Sequence, residues 1–123
     1  MTRESLKYGE EAETFALSFL KKKGYDILER NFKTRFGEID LVARDNNTIV
    51  FIEVKARKSP LFGGPAGALT AVKKARLGRL AAFYLKTKGH AGKARFDVVL
   101  ITGGLDAPVV DLIQNAFDTD FPG

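Results

Sequence analysis

A chain of 123 residues is the size of one domain and buries enough surface to fold without staples. It has no cysteine and one histidine, which excludes disulfides, thiolate metal sites and a histidine-built zinc site, and which suits a reducing cytoplasm. Its formal charge of +5 favours a polyanionic partner without specifying one, and no apolar run approaches the ~18 residues of a membrane span.

The spacing of Tyr8, Ala12, Phe15, Ala16, Phe19 and Leu20 predicts a helix over 5–23. Lys21, Lys22 and Lys23 fall in its last turn, where cations complement the helix dipole, and Gly24 can supply the left-handed cap. No apolar segment follows the charges at the N-terminus, so no targeting segment is expected. Strands are predicted over 25–32, 38–44 and 49–57. Alternation in the second of these puts Ile39, Leu41 and Ala43 on one side. Asn46 and Asn47 read as a tight turn between the second and third strands, because asparagine tolerates positive φ. Residues 58–67 contain Pro60 and Pro65 and read as a loop that can close over a ligand or simply connect. A second helix is predicted over 69–88 with Gly89 as its stop, then strands over 95–101 and 109–113, joined by a turn at Gly103 and Gly104. His90, between glycines, is a loop residue. The order predicts an α/β sandwich around a mixed sheet, with one domain over 1–116 and an irregular tail over 117–123.

The hairpin register follows from its turn. If Asn46 and Asn47 are the turn residues, Asp45 faces Thr48, and counting outward sets Asp40 opposite Glu53 and Glu38 opposite Lys55. A four-residue loop keeps this register; a three-residue loop would place Asp40 and Glu53 on opposite faces. Opposed Cβ atoms are about 5 Å apart, and Lys55 projects from the same face as Glu53. Two carboxylates ~4 Å apart repel by on the order of 4 kcal/mol at an effective dielectric of about 20. Lys55 offsets part of that, and a divalent cation such as Mg²⁺, which takes hard oxygen ligands, offsets more. The plainer alternative is that all three are solvated on an exposed sheet face. Against it, Glu53 and Lys55 interrupt a run from Ile49 to Lys55 that otherwise reads as buried on both faces. Unpaired charge there costs several kcal/mol, and local rules tend to break at functional sites.

The segments Gly37-Glu38-Ile39-Asp40-Leu41-Val42 and Phe51-Ile52-Glu53-Val54-Lys55 resemble the core of the PD-(D/E)xK nucleases. Over nearly the whole chain the sequence is similar to the YraN-like family of small bacterial proteins, which resembles archaeal Holliday-junction resolvases. The similarity takes in Gly9 to Glu13, Arg30-Asn31, Lys74 to Leu77 and Arg95 to Val99; one departure is Ile39, rather than proline, before Asp40. The resemblance implies a restriction-endonuclease-like sandwich, a mixed central sheet flanked by helices. It implies a Mg²⁺ or Mn²⁺ ion held by Asp40, Glu53 and the Val54 carbonyl, with Lys55 acting on the attacking water or the scissile phosphate. It also implies a glutamate from the first helix, for which Glu13 matches best, Glu10 sits one turn away and Glu11 reads as solvated. The expected activity is hydrolysis of DNA, with branched DNA as the substrate class of the resolvases. An RNA-processing nuclease and a non-catalytic nucleic-acid-binding module are the rival readings.

Outside this constellation, Lys73, Lys74, Arg76 and Arg79 form a basic stripe on the second helix that can meet phosphates or water. Arg57 and Arg95 are further candidates for DNA contact, and Asp97 either shares the site with Glu38 or pairs with Arg95. A homodimer would give two sites related by two-fold symmetry, as cleavage of a junction requires. Leu61, Phe62, Phe117 and Phe121 are the apolar residues available for such an interface.

Overall fold

Ala12, Ala16 and Leu20 recur every fourth residue along the first helix, α1 (Arg3–Lys22), and all three are buried against the sheet. The computed structural model describes residues 3–57 and 70–117, the side chain of Ser5 excepted. Gly24, at φ 94°, turns the chain out of α1, and the Tyr25 N–H closes the last turn by donating to the Leu20 carbonyl at 3.0 Å. The chain then runs through β1 (Asp26–Thr34), β2 (Gly37–Asp45), β3 (Thr48–Arg57), α2 (Ala71–Lys88), β4 (Ala94–Thr102) and β5 (Val109–Ile113). Predicted and observed ends differ by two residues at most, except that Leu69, the expected start of the second helix, lies outside the described residues. Thr70 caps that helix by accepting from the Lys73 N–H at 3.1 Å, and Gly89, at φ 68°, ends it. His90 sits in the following loop, its Nε2 against the Lys93 carbonyl.

The five strands lie in the order β1-β2-β3-β4-β5. Only β3 and β4 are parallel, and α2 makes the crossover between them. α1 covers one face, over a core of Leu41, Ala43, Val50, Ile52, Val99 and Ile101. α2 covers the other, over Ile39, Val42, Ile49, Phe51, Phe96 and Val98. A mixed sheet with a helix on each face is the restriction-endonuclease-like sandwich. β3 is buried on both faces from Ile49 to Ile52, and its burial relaxes at Glu53. Phe117, expected in an irregular tail as interface material, instead stacks on Phe96 at 4.6 Å between ring centres and belongs to the α2-side core. Phe121, Leu61, Phe62 and the loop from Pro60 to Pro65 lie outside the described residues.

The predicted hairpin register holds over five rungs, from Asp45–Thr48 to Leu41–Ile52. One expectation about β2 fails. Ile39 packs on the α2 side whereas Leu41 and Ala43 pack on the α1 side. Strict alternation therefore breaks at Asp40, the residue just past the last rung. On the other side of β2, Asn31 stands level with Asp40, between the rungs Arg30–Leu41 and Phe32–Ile39, and adopts φ 55°. A left-handed residue cannot continue a regular pleat, so the sheet is irregular on both flanks of Asp40.

Candidate active site

Asp40 and Glu53 occupy adjacent positions on β2 and β3 where the two strands stop pairing. Beyond the last rung the Val54 N–H has no β2 carbonyl to bond, and it donates to Asp40 Oδ2 at 2.8 Å instead. The carboxylate thus completes the sheet's hydrogen bonding and is itself held in a fixed orientation. Glu53, 12% exposed, has its carboxyl pushed up to about 7. Burial is the main cause, followed by the charge of Asp40 and a hydrogen bond shared with it; Lys73 and Lys55 pull the other way. Two carboxyl groups this close do not both ionise readily without a cation between them.

α1 lays a third acid over this pair. Glu13, one residue past the buried Ala12, lies on the groove side of the helix. Glu13, Glu38 and Asp40 each offer an oxygen, and these lie within 4.8 Å of one another. Oriented with its nitrogen toward the acids, the Asn31 amide donates to Glu38 Oε1 at 2.6 Å and to Glu13 Oε1 at 3.0 Å. The left-handed backbone of Asn31 is what aims it there. Arg30 Nε stands 3.8 Å from Glu13 Oε1. Burial first, then the charges of Asp40 and Glu38, raise the Glu13 carboxyl, while Arg30 and Asn31 oppose the rise. Glu38, expected opposite Lys55, is instead part of this trio, because the ladder that would have paired them ends at Leu41–Ile52.

Lys55 follows Glu53 by two residues and lies in the same groove. Its ammonium is held below the usual lysine range, by burial above all and by the neighbouring Lys73. The groove, of about 660 Å³, runs between α1 and the ends of β2 and β3, and Tyr8, Glu13, Asp40, Glu53, Val54, Lys55 and Arg57 line it. Among the described residues the carboxylate oxygens that converge at ligand distance are those of Glu13, Glu38 and Asp40, hard donors of the kind that can hold a Mg²⁺ or Mn²⁺ ion; Glu53 and Lys55 stand beside Asp40 in the groove but outside that trio.

The remaining sequence candidates are placed elsewhere. Glu10 lines a separate depression with Glu11, Thr14 and Phe15. Lys74 lies over the Phe117 ring at 5.7 Å, and the aliphatic part of Arg76 packs beside Gly37. Arg95 and Asp97 are not among the residues lining the groove. Arg95 bonds Asp97, Asp45 and the Tyr25 hydroxyl, and Asp97, 1% exposed, also accepts from the Asn115 N–H. Asp45 belongs to the hairpin turn and Arg95 stands level with Val50, so this network runs from the turn end of the sheet to Asp97, which stands level with Ile52, one residue short of Glu53. Two residues that touch the groove's acids carried no site role in the sequence reading. Asn31 had a signal, an asparagine inside a strand. Lys73 had only its place in a basic stripe, yet its Nζ stands 3.4 Å from Glu53 Oε1.

Fold and groove together define a PD-(D/E)xK-like α/β protein with clustered carboxylates and a lysine. The model of the uncharacterised protein family UPF0102 matches residues 12–101, and the chain belongs to that family, the YraN family. It is 45% identical to a UPF0102 protein of Desulfosudis oleivorans, over 98% of this chain and 97% of that one. It is 46% identical to one from Nitrosomonas europaea, over 89% and 92% of the two chains, and 46% identical to one from Symbiobacterium thermophilum, over 92% and 98%. Among the described residues no helix is long and apolar enough to cross a membrane.

Proposed function

We propose that the protein is a Mg²⁺- or Mn²⁺-dependent endonuclease that hydrolyses DNA phosphodiesters in the cytoplasm, with branched DNA as its preferred substrate class. The observation that carries this reading is the meeting of Asp40, Glu53 and Lys55 where β2 and β3 part, with Glu13 above them. A binding module gains nothing from acids that repel one another and would repel phosphate as well.

A bound divalent ion supplies charge stabilisation for the scissile phosphate. Asp40, fixed by the Val54 N–H, and Glu53 hold that ion, and Glu13 completes the acidic wall. Lys55 positions the attacking water or, in the neutral form that its burial and Lys73 favour, takes the water's proton. Water adds to phosphorus in line with the leaving sugar oxygen, the phosphorus–oxygen bond to that sugar breaks, and the departing oxygen takes a proton from solvent. The basic balance of the chain supports a polyanionic substrate.

Linear, nicked, flapped and four-way DNAs, with a structured RNA as a further arm, are incubated with Mg²⁺ or Mn²⁺ and with EDTA. Metal-dependent cleavage of a DNA by the native protein, and none by a folded Asp40→Asn variant, is the expected result. Undiminished cleavage by a rigorously purified Asp40→Asn protein would falsify the assignment, and cleavage of RNA alone would redirect it.

A further inference from the structure

Lys73 stands in an unusual place for a cation. It lies in the first turn of α2, which contains no acidic residue, and Lys74 follows it. The N-terminal end of a helix carries partial positive charge, so lysine there is disfavoured. The Thr70 cap pins the Lys73 backbone, and its side chain, 31% exposed, crosses to β3 and meets Glu53 Oε1 at 3.4 Å. There it shares the site with Lys55. Two ammonium groups therefore face Asp40 and Glu53, one from the same strand as Glu53 and one from a helix across the sheet.

We propose that Lys73 is a stand-in cation: it occupies Glu53 while the site lacks metal, gives Glu53 up when a divalent ion binds, and then contacts a non-bridging oxygen of the nucleic-acid phosphate. The inference rests on the metal-dependent nuclease reading. An ion on Glu53 competes with Lys73 for the carboxylate and repels its ammonium, which weakens their pairing. Released, Lys73 lies beside Lys55 at the positive end of α2, and that place suits an anion. Lys73 is thus a positioning group in the metal-free protein and a phosphate contact in the loaded one. Each role leaves its own sign on a measurement.

The test is a calorimetric Mg²⁺ or Mn²⁺ titration of the full chain and of Lys73→Met and Lys73→Arg. A second arm measures the affinity for a labelled DNA duplex with Ca²⁺ present and with EDTA. Removing the competing charge should tighten metal binding in Lys73→Met by about 5-fold. It should weaken DNA binding several-fold in Ca²⁺ and leave it little changed in EDTA, where Lys73 is held by Glu53. Lys73→Arg, which keeps the charge, should match the native metal affinity. A merely structural lysine would lower thermal stability and weaken metal and DNA together. Unchanged or weaker metal binding in Lys73→Met overturns the proposal while leaving the nuclease reading in place, as does tightening in Lys73→Arg. Absence of metal binding in the native protein overturns both.

Discussion

At the residue scale, Glu53 decides how the site responds to pH. Its carboxyl is pushed up to about 7 in the folded chain, above its ordinary value, by burial and by Asp40. The folded metal-free protein therefore binds a proton that the unfolded chain has already lost. Stability should fall as pH rises from about 5 to about 7 and fall no further above, by up to on the order of 3 kcal/mol. Denaturant unfolding across that range is the measurement, and Glu53→Gln should remove most of the slope, leaving the part due to the raised Glu13 carboxyl. The same proton competes with the ion, so Mg²⁺ affinity should climb over the same interval and level off above it. A flat profile for both would mean that Glu53 is ionised throughout and that its neighbours solvate it better than its burial suggests.

At the scale of elements, the ion network of the sheet lies apart from the residues that line the groove, although Asp97 comes level with Ile52, beside Glu53. Asp97, Arg95, Tyr25, Asp45 and Gln114 form a closed set of hydrogen bonds beside the hairpin turn. Asp97→Ala leaves the part-buried Arg95 only Asp45 of its two carboxylate partners and removes the acceptor of the Asn115 N–H, and should cost about 2–3 kcal/mol, lowering the melting temperature by roughly 10 °C. Metal affinity below that melting point should stay unchanged. A loss of metal binding in the folded variant would show that the network and the groove are coupled. This network was not legible in the sequence, since its members come from four separated segments and only Arg95 and Asp97 are near neighbours. The hairpin was legible, because a two-residue turn and a period of two fix which residues oppose each other. What that counting cannot foresee is where a ladder stops. The end of pairing at Leu41–Ile52 and the switch of faces at Asp40 depend on Asp40 bonding Val54, a side-chain event invisible to alternation. Lys73 escaped for a related reason. Helical spacing sorts the basic residues of α2 into a stripe, but which of them reaches the sheet depends on how α2 is rotated against β3.

At the scale of the whole molecule, the proposed site occupies a single groove among the described residues, whereas cutting a four-way junction, if that is the substrate, needs two sites. A homodimer is the arrangement that supplies a second groove. Of the apolar residues expected to build its interface, Phe117 is used internally against Phe96. Among the described residues, Phe36 and Phe83 remain exposed, at 45% and 46%. Light scattering at tens of micromolar, with and without four-way DNA, should report a dimer in at least the second condition. A monomer in both would leave a nicking or flap-trimming activity as the better account of the same groove.

The bond from the Val54 N–H to Asp40 Oδ2 has an evolutionary consequence. Asp40 closes the backbone of the sheet, so an asparagine there keeps the acceptor, whereas alanine orphans a part-buried donor at a cost of about 1–3 kcal/mol. Lys55 carries no such duty; its attraction to Glu53 and Asp40 is outweighed by the cost of its own burial and by repulsion from Lys73. Thermal melts should therefore rank Asp40→Ala well below Asp40→Asn, with Lys55→Ala near the native protein. A relative that lost the lysine would keep its fold and would still be held to Asp or Asn at the position of Asp40 on the neighbouring strand, so an acid retained there is a mark of the sheet's hydrogen bonding as much as of any site.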